Sequence, residues 1–238
     1  VQEPDGSHHK AAASTPRALE TAELPQVVES YAQATRNALQ AGFDGVEIHA
    51  ANGYLLDQFL CSNSNQRTDA YGGSVENRAR SVLEVVDAVA AGDAGIVGIR
   101  ISPLGTFNGV EDANPLETFT YLLEQLNSRG LAYVHVNKPD WAGGSYEGFD
   151  ELLAALRKVY KGDFILAGGL DGESASAAID SGLAQFAAFG RPYIANPDLV
   201  ARLQAGAPLN QVNPRTLYGG GAEGYTDYPV MDSAIAGG

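Results

Sequence analysis

The sequence predicts an α/β protein, and more narrowly the later part of a (β/α)8 TIM barrel. Five short apolar runs typical of buried strands alternate with helical patterns at the spacing of βα units. The 238 residues approach the ~250 of a complete barrel, but the stretch before the first strand is too short for three further βα units of ~30 residues each. An open five-stranded parallel sheet is the alternative, although the connections show no reversal point.

The predicted strands are short and apolar, and they cover residues 45–49, 96–101, 131–136, 164–167 and 185–189. An amphipathic helical pattern over residues 24–39 precedes the first strand, and a helix feeding a buried strand is typical of α/β proteins. Ser74 is the predicted N-cap of a further helix that extends to about Val89. Another helix is predicted to begin near Glu173.

The chain divides into three predicted regions. Residues 1–23 form an extended leader, residues 24–229 the C-terminal part of a single TIM-barrel domain, and residues 230–238 a flexible tail. The first residue is not Met, and nothing at this end resembles a signal or transit peptide. We therefore expect an interior segment of a longer polypeptide.

Composition excludes several classes of partner. The 29 acidic residues outnumber the 15 basic ones, which disfavours nucleic acid and anionic membranes, and no apolar run approaches the ~20 residues of a membrane span. Cys61 is the only cysteine, which fits a reducing cytoplasm; a reactive thiol beside the site is the less favoured interpretation. His8 and His9 lack metal-ligand spacing, and we predict no metal site.

Three hydrogen-bonding side chains follow the first predicted strand. His49 ends that strand, and Asn52 and Tyr54 come directly after it, beside a predicted turn at Asn52-Gly53 and a short helical cover over residues 54–60. Ligands of parallel α/β proteins bind at the carboxyl ends of strands. An imidazole and an amide can donate to a ligand carbonyl, and a phenol can donate a proton. For each residue alone, packing is an equally good explanation.

Glycines after the last two strands, with one arginine, suggest a phosphate site. Gly168 and Gly169 follow the fourth strand, and Gly190 and Arg191 follow the fifth. Missing Cβ atoms let backbone N–H groups approach an oxyanion, and the loops after the last two strands of a barrel frequently bind phosphate. Arg100 is the only charge in its strand, where it requires an anion, an electron-rich group or a structural ion pair.

Five segments together resemble the old yellow enzyme family of flavin-dependent ene-reductases, over about residues 15–229. The segments are His-Ala-Ala-Asn-Gly-Tyr-Leu from His49, residues 67–78, Arg-Ile-Ser-Pro from Arg100, Phe-Gly-Arg-Pro from Phe189, and residues 224–229. The resemblance implies an eight-stranded barrel that holds FMN and reduces activated alkenes with NADPH in a ping-pong cycle. Substrates would be α,β-unsaturated carbonyl compounds and nitroalkenes.

The resemblance also assigns roles to residues. His49 and Asn52 would bind the substrate carbonyl or nitro group, and Tyr54 would supply the proton. Arg100 would lie beside the flavin ring. Four residues would surround its phosphate, and these are Gly168, Gly169, Gly190 and Arg191. Two aromatic residues, Phe107 and Tyr218, would border the substrate pocket. Trp141 is predicted either to cover the site or to pack on the surface.

One departure from the family pattern concerns the opening barrel strands, which have no counterpart here. The resemblance implies that the chain begins in the loop after the third strand. Unpaired edges on both sides of a parallel sheet would expose backbone groups, so we expect a companion polypeptide to supply the N-terminal half. Two alternatives stay open: another FMN-dependent TIM-barrel oxidoreductase, and a non-catalytic fragment acting as an assembly subunit.

Overall fold

The structure is a computed structural model, and it describes residues 14–139, 147–218 and 221–231. Trp141, His8 and His9 lie outside these ranges, as do most of the predicted leader and tail. The predictions made for those residues therefore stay predictions.

Five strands and eight α-helices alternate along the described residues. The strands are β1 (Val46–Ala50), β2 (Val97–Ile101), β3 (Tyr133–Asn137), β4 (Phe164–Ala167) and β5 (Phe186–Ala188). The helices are α1 (Leu24–Gln40), α2 (Leu55–Leu60), α3 (Val75–Val89), α4 (Pro115–Leu126), α5 (Phe149–Val159), α6 (Gly172–Asp180), α7 (Arg191–Ala195) and α8 (Leu199–Ala205). Every predicted strand is confirmed, with its ends within two residues of the predicted ones.

The strands form one parallel sheet in chain order, β1-β2-β3-β4-β5. The predicted α/β class and the absence of a reversal point are confirmed, since each crossover leads to the next strand along. Within the described ranges β1 pairs only with β2, and β5 only with β4. The sheet is thus open at both edges, as expected of part of a barrel.

Alternation along the strands gives the sheet two different faces. The face toward the helices is apolar and buried, and Ile48, Ile99 and Val134 lie in its core with residues of α3, α4 and α5. The opposite face carries polar side chains at neighbouring register positions, with His49 beside Arg100 and Arg100 beside His135. We call this second face the inner face, because it would line the interior of a closed barrel.

Helix ends follow local sequence rules. The Ser74 side chain accepts a hydrogen bond from the Asn77 backbone N–H, which confirms Ser74 as the N-cap of α3. Asp171 is the N-cap of α6 and forms a capping box with Ser174. The helix begins at Gly172, one residue before the predicted start at Glu173. Among the described helices, none combines the length and the apolarity that crossing a bilayer requires.

Candidate functional site

The carboxyl end of β1 places an aromatic cluster above the inner face. The rings of His49 and Tyr54 lie 5.4 Å apart between centroids and are tilted by 52°. Phe107 continues the row, 6.5 Å from Tyr54. Tyr54 is 53% exposed, so its hydroxyl is accessible to a ligand. The structure therefore brings His49 and Tyr54 together, as the sequence predicted, and places Phe107 beside them.

His49 is held as a neutral imidazole. Partial burial lowers the pKa of His49, and the positive charge of Arg100 on the adjacent strand acts in the same direction. A neutral imidazole has one N–H donor and one acceptor nitrogen. Within the described ranges the His49 imidazole forms no hydrogen bond, so it is available to donate to a ligand oxygen.

Asn52 is tied to Arg100 through a residue that sequence reasoning missed. Arg100 Nη2 donates to Asn137 Oδ1 at 2.8 Å, and Asn137 Nδ2 donates to Asn52 Oδ1 at 3.2 Å. Asn52 Nδ2 has no acceptor among the described residues and can donate to a ligand. The prediction ended the third strand at Val136, one residue early; a polar residue at a strand's carboxyl end was the available signal.

Arg100 carries a donor without a partner in the described part of the chain. Its Nε is buried and makes no hydrogen bond to any described residue, although Nη2 donates to Asn137. No carboxylate lies within 4 Å of its guanidinium in the described part of the chain, so the structural ion pair is not formed there. A buried guanidinium N–H without an acceptor is costly. Arg100 is thus set up to donate to an electron-rich group of a ligand.

A cavity of about 800 Å³ adjoins this cluster at the ends of β4 and β5. It is lined by the residues predicted to bind phosphate and by others from the inner face, including Arg100, Asn137, Gly168, Gly169, Gly190, Arg191 and Tyr218. Its volume lies within the 300–1,000 Å³ typical of ligand sites. Tyr218 is 81% exposed at its border. His49, Asn52, Tyr54 and Phe107 do not line this cavity, and Arg100 and Asn137 connect the two clusters.

The backbone at position 168 requires a glycine. Its φ of +103° is rarely adopted by other residues, and a Cβ there would lie 2.3 Å from the carbonyl oxygen of Lys138. At Gly168 the loop after β4 therefore packs backbone against backbone. Together with the unpartnered Nε of Arg100, these features fit a cofactor that has both an anionic group and an electron-rich ring edge, as FMN does.

Deeper on the inner face, polar side chains satisfy one another. His135 Nδ1 lies 2.9 Å from Glu47 Oε2, and a hydrogen bond joins Tyr133 to the same carboxylate. Burial, with the Glu47 charge, raises the pKa of Tyr133 to about 12. His135 Nε2 is buried and has no hydrogen-bond partner within the described ranges. Glu47 lies on the same side of β1 as His49, so these contacts lie beneath the site on the inner face.

The loop after α2 has a scaffold role. Arg67 forms an ion pair with Asp69 and donates to the carbonyl oxygen of Leu19. Asp69 also accepts from Thr21. These contacts tie the segment before α1 to the loop after α2.

Cys61 is expected to be inert in the folded protein. It is buried, and burial with the neighbouring Asp57 carboxylate raises the pKa of its thiol far above the usual range. We expect a thiol reagent such as iodoacetamide to label Cys61 only after denaturation. Peptide mass spectrometry measures both labelled fractions, and labelling of native protein within minutes would contradict this prediction.

The sequence is similar to that of known flavin-dependent proteins. Residues 2–210 match the NADH:flavin oxidoreductase / NADH oxidase family. The chain is 45% identical to 12-oxophytodienoate reductase 1 of Oryza sativa over 225 residues, which cover 92% of this chain and 59% of that protein. It is 48% identical over 217 residues to a Leishmania infantum protein named "probable flavin mononucleotide-dependent alkene reductase", covering 91% of this chain and 58% of the relative.

Solved structures give the same result. Morphinone reductase superposes with a TM-score of 0.91 at 48% identity, covering 98% of this chain and 63% of that one. Morphinone reductase in complex with tetrahydroNAD superposes with a TM-score of 0.90, at the same identity and coverage. The chain spans about 60% of the length of these relatives.

The fold and the site match those of the TIM-barrel class of flavin oxidoreductases. The chain belongs to the NADH:flavin oxidoreductase / NADH oxidase family, and its resemblance to old yellow enzymes is confirmed. The partial barrel is confirmed as well, because the matched structures extend beyond the five strands seen here.

Proposed function

We propose that this chain forms most of the active site of an FMN-dependent enzyme that reduces activated C=C bonds with NADPH. The observation that carries the proposal is the set of donors at one strand-end edge: His49 against Tyr54, and Asn52 linked through Asn137 to Arg100. When bound, FMN would supply the redox chemistry, which is hydride transfer between NADPH and the β-carbon of the alkene.

Arg100 and the loops after β4 and β5 would hold the cofactor. Arg100 would donate through its unpartnered Nε to the electron-rich edge of the flavin ring. Gly168, Gly169, Gly190 and Arg191 would surround the phosphate, where backbone N–H groups and a guanidinium suit a dianion. Tyr218 would border the substrate side.

His49 and Asn52 would bind the electron-withdrawing group of the substrate. A neutral imidazole N–H and the free amide N–H of Asn52 can both donate to one carbonyl or nitro oxygen. Negative charge develops on that oxygen as hydride reaches the β-carbon, and fixed donors stabilise it more in the transition state than in the ground state. The two residues would therefore both orient and activate the alkene.

Tyr54 would supply the proton that completes the reduction. Its ring stacks at an angle on His49, so its hydroxyl lies at the same end of β1 as the oxygen-binding donors. Protonation of the α-carbon by a positioned side chain is general acid catalysis. Phe107 packs against Tyr54 and would limit the pocket on its outer side.

We further propose that a companion polypeptide supplies the first three barrel strands. Support comes from the two open edges of the sheet, at β1 and β5. Intact-mass measurement of the purified assembly tests this directly. Two polypeptides with one flavin would support the companion chain, and a single longer polypeptide would contradict it.

The activity is tested by mixing the flavin-loaded assembly with 2-cyclohexenone and NADPH, or NADH, without oxygen. We expect NADPH oxidation to be matched by formation of cyclohexanone. An oxidase of hydroxy acids or a dihydropyrimidine-type dehydrogenase would leave the enone unreduced. A non-catalytic fragment would fail to retain the yellow chromophore in any assembly, which would also overturn the proposal.

A further inference from the structure

A fully buried carboxylate lies directly behind the proposed catalytic turn. Asp57, in the first turn of α2, has no exposed surface. Its Oδ2 accepts from the backbone N–H of Gly53 at 2.9 Å and from the Ser102 hydroxyl at 3.3 Å. Its Oδ1 accepts a weaker contact from Cys61 Sγ at 3.7 Å. Nothing in the proposed mechanism requires a carboxylate here.

Ser102 extends this contact to the neighbouring peptide. The backbone N–H of Asn52 donates to Ser102 Oγ at 2.7 Å, and the same hydroxyl donates to Asp57. Ser102 follows β2, whereas Asn52 follows β1. Two consecutive backbone N–H groups are therefore linked to the Asp57 carboxylate. Gly53 donates to it directly, and Asn52 is connected to it through the Ser102 hydroxyl.

Contacts on two sides hold the backbone of this turn in place. Asn52 has φ +56° and Gly53 has φ +69°, so two successive residues are left-handed. A Cβ on Gly53 would lie 2.1 Å from the carbonyl oxygen of Phe107, and Asn108 Nδ2 donates to the carbonyl of Asn52 at 3.2 Å. The turn is held against the Phe107 loop on one side and Asp57 on the other. Asn and Gly both tolerate this conformation, so these contacts fix the position of the turn and do not compensate for strain.

We propose that Asp57, acting through Ser102 and the Gly53 peptide, is a positioning residue that fixes the Asn52–Tyr54 segment in the geometry used for substrate binding and proton transfer. The inference rests on the proposed function. The backbone of Asn52 carries the side chain that would bind the carbonyl. Tyr54, one residue beyond Gly53, begins α2 as its N-cap, so both ends of the segment depend on the same turn.

The turn depends on Asp57, and the Asp57 carboxylate in turn depends on donors from the turn. Burial raises the pKa of Asp57 to about 6, and the nearby Asp112 acts in the same direction, while the donors from Gly53, Ser102 and Cys61 lower it. At neutral pH the carboxylate is therefore mostly ionised in a buried site. Among the described residues no cation forms an ion pair with it. Since two of its three donors belong to the turn or support it, the turn conformation is what satisfies the charge.

The test compares four variants in the flavin-loaded assembly: Asp57→Ala, Asp57→Asn, Ser102→Ala and Cys61→Ala. Asparagine keeps one oxygen for Gly53 and Ser102 and can turn its amide N–H toward Cys61 Sγ, so it preserves the turn. We expect Asp57→Ala to lower kcat/KM for 2-cyclohexenone about 10–100-fold, since a misplacement of about 1 Å can cost ~100-fold. Ser102→Ala should show a smaller loss, and the other two variants should stay within about threefold of wild type.

A second measurement does not depend on turnover. Hydrogen exchange of the Asn52 and Gly53 amides should be slow in wild type and in Asp57→Asn, and at least tenfold faster in Asp57→Ala. Unchanged exchange and turnover in Asp57→Ala would overturn the inference, as would equal losses in Asp57→Ala and Asp57→Asn. If Asp57→Ala does not fold, Ser102→Ala decides by the same two measurements. If wild type reduces no alkene, the proposed function fails, whereas the exchange experiment still tests the turn.

Discussion

Replacing Tyr54 by Phe is expected to slow alkene reduction about 100- to 10,000-fold, the range that a positioned general acid contributes. The change removes only the hydroxyl. The ring contacts with His49 and Phe107 remain, so the pocket keeps its shape. Reduction of the flavin by NADPH requires no proton from this phenol and should keep its rate. Rapid-mixing absorbance measurements of the two half-reactions, each without oxygen, separate these effects.

The matched control is Tyr121→Phe, which removes a hydroxyl from α4 on the far side of the sheet. Both half-reactions of that variant should equal those of wild type. If Tyr54→Phe slowed both half-reactions to the same extent, its role would be in shaping the pocket. If it slowed neither, another group would supply the proton.

Strand positions were predictable because buried parallel strands read as short apolar runs, and a one-residue slip would turn their side chains to the wrong face. Strand ends were less predictable, since hydrogen bonding to the neighbour decides where a strand stops. Asn137 is an example of a strand end that the sequence did not predict. It pairs with Ala167 of β4 and so extends β3 by one residue beyond the apolar run. That extension places its amide between Arg100 and Asn52.

Some contacts in the candidate site were predictable from the sequence and others were not. His49, Asn52 and Tyr54 are close in sequence, and a turn signal at Asn52-Gly53 is sufficient to predict that they share one edge. Asp57 was visible in the sequence as part of the short helical cover, but its partner Ser102 lies 45 residues away. A buried polar network between two loops has no periodicity and no local spacing. Only the register of β1 against β2, Ala50 beside Ile101, brings the two loops together.

A second large effect is expected on stability, at Arg78. Its guanidinium is buried between the α2 loop and α4, where it donates to the carbonyls of Leu60 and Gly73 and to Thr118 Oγ1. Nη2 also lies 3.3 Å from Asp112 Oδ1, and the side chains of this pair are 9% and 1% exposed. Arg78 thus joins the loops after β1 and β2.

Arg78→Met should lower the free energy of unfolding by about 3–5 kcal/mol, because it leaves the Asp112 carboxylate buried without a cation. The matched control is Arg80→Met, two residues along α3, where the guanidinium is exposed and contacts Ala70 and Asn77. That change should cost less than about 1 kcal/mol. Urea denaturation of the flavin-loaded assembly, followed by circular dichroism, measures both values.

The origin of the loss can be separated with a double variant. If the penalty arises from the uncompensated carboxylate, adding Asp112→Asn to Arg78→Met should recover part of the stability, because the remaining group is then neutral. No recovery would assign the loss to the carbonyl and hydroxyl contacts of Arg78. Equal stability of Arg78→Met and wild type would show that the network contributes nothing net, as some buried ion pairs do.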